Sequence, residues 1–103
     1  MEKETTLIIG ASTNPARYSN RAIKLFQRKG IPHIALGLKS GKVGETKIVV
    51  ELKVFKDIHT VTLYIGAKHQ DQSMVDFIIS LNPKRVIFNP GSENFEHFNQ
   101  GRN

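Results

Sequence analysis

Gly10-Ala11-Ser12-Thr13-Asn14-Pro15, followed by Arg17-Tyr18-Ser19-Asn20, is the stretch whose residue types best suit chemistry. It lies between the apolar run Leu7–Ile9 and a segment of helical periodicity, so it joins a strand to a helix. Such a turn aims backbone N–H groups and the positive end of a helix dipole at one point, where a phosphate fits. A nicotinamide dinucleotide usually asks that turn for three glycines. Here Gly10 holds the first place, while Ser12 and Pro15 occupy the second and third. Ser12 offers a hydroxyl donor close to the turn's amides in exchange.

The far end of the ligand can be read as well. A nicotinamide site needs an acid about 20 residues on, to hold the ribose hydroxyls. The second strand instead ends in Gly37-Leu38-Lys39, with a cation near that place. A ligand bearing an extra phosphate on its adenosine end is therefore favoured. The 2′-phosphorylated nicotinamide cofactor and coenzyme A, with its 3′-phosphate, both qualify.

Other chemistries find less. Nucleophilic catalysis requires an activating base, and neither Ser12 nor Ser19 has a histidine or acid close in sequence. Cysteine is absent, which removes disulfides and thiolate chemistry. His33, His59, His69 and His97 show no metal-ligand spacing, and only His69 falls in a ligand-side loop. No catalytic constellation is therefore expected. The net charge of +6 and pI near 9.8 attract anions. The cations are scattered, however, without blocks or interleaved aromatics, so a solvated surface is expected and not a nucleic-acid partner. Apolar runs stay far below the roughly 18 residues of a membrane span, and no signal peptide fits. The expectation is a soluble cytoplasmic protein without a membrane partner.

The elements that must position the turn follow from periodicity. Thr6–Ile9 reads as a buried strand, Gly10–Ser19 as a loop and Asn20–Lys29 as a helix ended by Gly30. That helix is expected to face Ala22, Ile23, Leu25 and Phe26 to a sheet and Arg21, Lys24, Gln27 and Arg28 to solvent. His33–Gly37 is the second strand, Lys39–Lys47 a loop and Ile48–Val50 a short third strand. Val61–Ile65 is the fourth, Gln72–Leu81 a second helix with Met74, Val75, Phe77, Ile78 and Leu81 toward the core, and Arg85–Asn89 the fifth strand. Tyr64, inside a strand, reads as core. Alternating strands and helices predict an α/β domain over residues 1–103 with a parallel sheet. Ligands of such sheets sit beyond the carboxyl ends of the strands, so the loops Gly10–Ser19, Gly37–Ser40, Gly66–Gln70 and Asn89–Glu93 converge.

With those residues in place, the chain resembles the small bacterial CoA-binding proteins. Their fold is that of the CoA-binding domain of succinyl-CoA synthetase alpha subunits. The likeness rests on the turn quoted above and on Ile34-Ala35-Leu36-Gly37-Leu38-Lys39. It continues through Asp57-Ile58-His59-Thr60-Val61-Thr62-Leu63-Tyr64 and Phe88-Asn89-Pro90-Gly91-Ser92-Glu93-Asn94. It implies a Rossmann-like three-layer α/β/α domain with about five parallel strands in the order 3-2-1-4-5. The function implied is binding of coenzyme A, or an acyl-CoA, as a non-catalytic carrier or sensor. An oxidoreductase using the 2′-phosphorylated nicotinamide cofactor is the alternative.

The resemblance also implies roles by position. Gly10, Ala11 and Ser12 would form the pyrophosphate turn, and Asn14, Arg17, Tyr18 and Ser19 the loop closing over the phosphates. Gly37, Leu38 and Lys39 would flank the adenosine. Ile65, Gly66, Lys68 and Gln70 would make one wall, and Asn89, Pro90 and Gly91 would border the pantetheine arm. Gly66-Ala67 departs from the Asn-Pro or Asn-Ala that relatives commonly carry there. In the order 3-2-1-4-5 the fifth strand is an edge, which predicts that Phe95–Asn103 folds over it or that a homodimer forms there.

Overall fold

The computed structural model describes residues 4–65 and 71–89. Their centre is β1 (Thr5–Ile9), whose Leu7, Ile8 and Ile9 are almost completely buried. A strand apolar on both faces needs cover on both, and two helices on opposite faces supply it. Helix α1 (Tyr18–Lys29) follows β1 and leads to β2 (His33–Leu36). After β2 come β3 (Gly41–Val43), β4 (Thr46–Val49) and β5 (Ile58–Leu63). Helix α2 (Gln72–Ser80) then leads to β6 (Arg85–Phe88).

The six strands lie in the order β3-β4-β2-β1-β5-β6. All neighbours are parallel except β3 and β4, which pair antiparallel. The expected order therefore holds for β4, β2, β1, β5 and β6, with β3 added as a sixth, outermost strand. Ile8 points to the α1 face, where Ala11, Ile23, Ala35, Val43 and Ile48 are buried with it. Leu7 and Ile9 point to the other face and join Leu36, Val61, Leu63 and α2's Ile78. The core of α2 is as expected: Met74, Val75, Phe77, Ile78 and Leu81 are all buried or packed against the core.

The expected loop Lys39–Lys47 is mostly a hairpin. Gly44, at φ 60°, opens its two-residue turn, and the Gly-first pair fits the right-handed twist of the flanking strands. This hairpin returns the chain to the sheet's amino edge in place of a helix. It is tied to α1 by Gln27, whose Nε2 donates to the Val43 carbonyl and, at 2.7 Å, to Thr46 Oγ1. His33 Nδ1 lies 2.7 Å from the Ile31 carbonyl, which can only accept. In the neutral ring Nε2 then accepts from the Thr46 hydroxyl at 2.7 Å. Gln27 thus faces inward, contrary to the helical-wheel expectation, because the hairpin offers acceptors beside it. Leu25, assigned to the sheet, is 38% exposed.

Strand limits also shift. Helix α1 begins at Tyr18, so Tyr18 and Ser19 belong to its first turn, whereas the loop was expected to reach Ser19. Residues 58–60 extend β5 toward its start, and Tyr64 and Ile65 fall beyond its end. Gly30 caps α1 in the left-handed conformation at φ 65°, as its position predicts.

Candidate functional site

The connection that leaves β1 runs toward β2, and the one that leaves the neighbouring β5 runs the opposite way, toward β6. A crevice opens beyond the carboxyl ends of such a reversal. Gly10 lies at its base with φ 96°, and a Cβ there would stand 3.0 Å from the Tyr64 carbonyl carbon. A Cβ on Gly37 would stand 2.4 Å from the Ala11 carbonyl oxygen. One on Gly41 would meet the Thr13 methyl at 2.6 Å. The ends of β1, β2 and β5 are therefore drawn together by glycines at close approaches. The expected turn residues Gly10, Ala11 and Ser12 sit in this junction beside Gly37.

The amides of the turn divide into two groups. Gly10 and Ala11 both donate to the Leu36 carbonyl, at 2.9 and 3.0 Å. They brace the turn on β2 and face protein, so they are engaged before any ligand arrives. Beyond them the chain folds on its own side chains. Ser12 Oγ accepts from the Asn14 amide, and Asn14 Oδ1 accepts from the Ala16 amide, each at 3.0 Å. Ser12 Oγ keeps its own proton to donate. Asn20 Nδ2 reaches back to the Ser12 carbonyl at 2.9 Å, while its Oδ1 is buried with no partner among the described residues.

Helix α1 then starts without a side-chain cap. Arg17 occupies the cap position in extended conformation, and no acid lies in the first turn. The first intrahelical amide bond is that of Arg21, to the Arg17 carbonyl at 3.3 Å. The amides of Tyr18, Ser19 and Asn20 carry the positive helix end, with an exposed arginine beside them. Leu38 and Lys39 are exposed on the neighbouring loop, Leu38 at 96%. The arrangement offers an anion N–H groups, a hydroxyl and two cations.

A cleft of about 350 Å³ continues from this point along α1. Tyr18, Arg21, Ala22 and Leu25 form one wall, and Tyr64 and Asn89 the other. The first four stand at i, i+3, i+4 and i+7, one continuous helical stripe. Arg21 is exposed, as expected, and lies over the exposed Tyr18 ring, 5.6 Å from its centroid. Asn89 is held by its Nδ2, which donates to Thr62 Oγ1 at 2.8 Å and to the Leu63 carbonyl at 2.7 Å.

Of the expected contact residues, the structure brings Gly10, Ala11, Ser12, Asn14, Arg17, Tyr18, Ser19, Gly37, Leu38, Lys39, Ile65 and Asn89 to one edge. Gly66, Lys68, Gln70, Pro90 and Gly91 lie outside the described residues, as does His69. The cleft adds Arg21, Ala22, Leu25 and Tyr64. Ala22, Leu25 and Tyr64 are expected in the core, against which Tyr64 does pack, and Arg21 is expected in solvent, where it is exposed. The i, i+3, i+4, i+7 spacing that begins at Tyr18 is the pattern that could have grouped the helical four. Among the described residues no helix is long and apolar enough to cross a membrane.

The sheet order, the two covered faces and the switch-point crevice define a Rossmann-like α/β domain. A match to the CoA binding domain family spans residues 4–103, and the chain belongs to that family. Among solved structures it is similar to a protein described as uncharacterized, with 42% identity and a TM-score of 0.85, covering 93% of this chain and 78% of that one. A conserved hypothetical protein from Pyrococcus furiosus shares the fold at 21% identity and TM-score 0.79, over 94% of this chain and 84% of that one. A hypothetical protein from Pyrococcus horikoshii OT3 does so at 23% identity and TM-score 0.79, over 97% and 70%. No curated protein matches the chain.

Proposed function

We propose that this chain binds coenzyme A, or an acyl-CoA, as a non-catalytic carrier or sensor. The observation that carries the reading is the open start of α1: three first-turn amides without a side-chain cap, Arg17 in the cap place and Ser12 beside them. A cation there opposes the helix dipole, and a bound phosphate reverses the sign of that effect. Family membership supports the same ligand. The pyrophosphate lies across the first turn of α1, against Ser12, Asn14, Arg17 and Ser19. The adenosine end lies toward Gly37, Leu38 and Lys39, which the Thr13–Gly41 approach keeps near the turn. The pantetheine arm runs down the cleft between Tyr18, Arg21 and Leu25 on one side and Tyr64 and Asn89 on the other. A volume of about 350 Å³ suits such an arm.

Calorimetric titration with CoA, dephospho-CoA and the 2′-phosphorylated nicotinamide cofactor tests this at fixed salt. The expected order of affinity is CoA, then dephospho-CoA, then the nicotinamide cofactor. Tighter binding of the nicotinamide cofactor would overturn the assignment. Native mass spectrometry of the purified protein is expected to show CoA or an acyl-CoA retained.

A further inference from the structure

The chain between β4 and β5 forms neither helix nor strand, and it exposes apolar side chains at three alternate positions. Phe55 turns inward and packs on the α2-side core. Val50, Leu52 and Val54 turn outward, at 48%, 54% and 70% exposure. Soluble chains rarely leave three such side chains open without a partner. The Lys53 amide donates to the Glu51 carbonyl at 3.1 Å, a three-residue hydrogen-bonded ring centred on Leu52. Lys53 Nζ sits 5.6 Å from the Phe55 ring centroid, so the cation is held close to the segment.

The order Val50-Glu51-Leu52-Lys53-Val54 has a particular symmetry. Read from either end, it gives the same apolar positions, while the two charges exchange sign. A two-fold axis through Leu52 brings Leu52 against Leu52 of the partner subunit and Val50 against Val54 of the partner subunit. Glu51 then faces Lys53 of the partner subunit, and Lys53 faces the partner subunit's Glu51. An isologous contact demands this self-complementarity, which a second copy supplies automatically. We infer that residues 50–54 are a contact surface through which two copies of this chain associate. The surface is separate from the edge strand β6, where a homodimer was first expected, and it does not depend on the identity of the ligand.

Sedimentation equilibrium over a concentration series, with Glu51→Lys, Lys53→Glu and the double exchange, tests the inference. Each single reversal places like charges together twice, once on each side of the axis. Each is expected to weaken dimerisation roughly tenfold, while the double exchange restores it. Because the chain has no cysteine, Leu52→Cys provides a second readout. Mild oxidation is expected to cross-link it into a covalent dimer, whereas Lys24→Cys on the exposed side of α1 dimerises without being cross-linked. A native chain that is monomeric at every concentration would overturn the inference. So would a dimer indifferent to both single reversals, which would place the contact elsewhere, at β6 for example. All five residues are exposed, so the variants are expected to melt like the native protein.

Discussion

Two helices begin at the same edge of the sheet, and they begin in opposite ways. Asp71 caps α2, its carboxylate accepting from the Met74 amide at 2.9 Å and from the Ser73 hydroxyl at 2.7 Å. Those two bonds hold its pKa below the ordinary aspartate value, the Ser73 hydroxyl acting most strongly. Helix α1 has Arg17 in the equivalent place, with no side-chain cap and no acid in its first turn. Ser12 and Asn14 stand close by, yet their oxygens serve the amides of the preceding turn. A missing cap weakens a helix by about 0.5–2 kcal/mol, and a cation at that end adds to the loss. The chain therefore closes one helix with its own anion and leaves the other open. On the reading proposed above, α1 is completed by the phosphates of its ligand.

The largest expected effect comes from removing the approach that holds the open end in place. Gly37→Ala drives a methyl into the Ala11 carbonyl oxygen, where backbone is met at 2.4 Å. Destabilisation by about 3 kcal/mol is expected, because neither strand end can yield cheaply. Chemical denaturation measures it. CoA affinity is expected to fall with it, since the turn is displaced, while the α2 start remains intact.

Exchanging the cap at α1 divides stability from binding. Arg17→Ala is expected to weaken CoA binding by roughly 1.5–3 kcal/mol, the range for a charge-assisted hydrogen bond. Arg17→Asp makes α1 resemble α2. Without ligand it is expected to raise stability by about 0.5–2 kcal/mol, through the cap and the dipole. With ligand it is expected to lose at least as much affinity as Arg17→Ala. Opposite signs in melting and calorimetry would show that the open end is kept for an anion. A variant less stable than the native chain, with unchanged affinity, would dissolve the comparison.

Much of this difference was legible in the residues, and the remainder has physical reasons. Gly10, Ser12 and Arg17 identified the turn, and the buried run Leu7–Ile9 identified the strand feeding it. The left-handed cap at Gly30 and the core face of α2 followed from spacing alone. The third strand expected at Ile48–Val50 is the end of β4, whereas β3 and the start of β4 were missed because β3 has only three residues and Thr46 and Lys47 are both polar. Gly44 before Glu45 was the available turn cue. Helical phase assigned Gln27 to solvent, since it sees one helix and not the hairpin beside it. The engagement of the Gly10 and Ala11 amides by Leu36 depends on the register of β1 and β2, which no local pattern encodes.

A smaller effect sharpens the ligand side of the comparison. Lys39 is exposed on the loop that the Thr13–Gly41 contact holds beside the turn. CoA would bring a 3′-phosphate to it, and dephospho-CoA only a hydroxyl. A partly exposed contact of this kind is worth about 1 kcal/mol. Lys39→Ala is expected to narrow the gap between the two ligands by that amount and to leave dephospho-CoA affinity nearly unchanged. Parallel titrations at fixed salt check it. Equal affinity of the native chain for both ligands would remove Lys39 from the site.

The smallest effect belongs to the closed helix, and its pH dependence has a definite sign. The folded state holds the Asp71 carboxyl below the 3.8 of an unperturbed aspartate. Its charged form therefore contributes stability that is fully present above that value and disappears as pH falls through the lowered folded value. Asp71→Ala removes the acceptor at every pH and is expected to lower the melting temperature slightly. Asp71→Asn keeps a side-chain oxygen for the Met74 amide, so it is expected to retain part of the cap while losing the charge. The native and Asp71→Asn proteins should consequently melt closest together in strong acid and diverge toward neutral pH. Calorimetric melts over that range are the check. Neither variant should change CoA affinity, because α2 already has its anion. A loss of CoA binding on altering Asp71 would mean that both helix starts serve the ligand, and the contrast between them would fail.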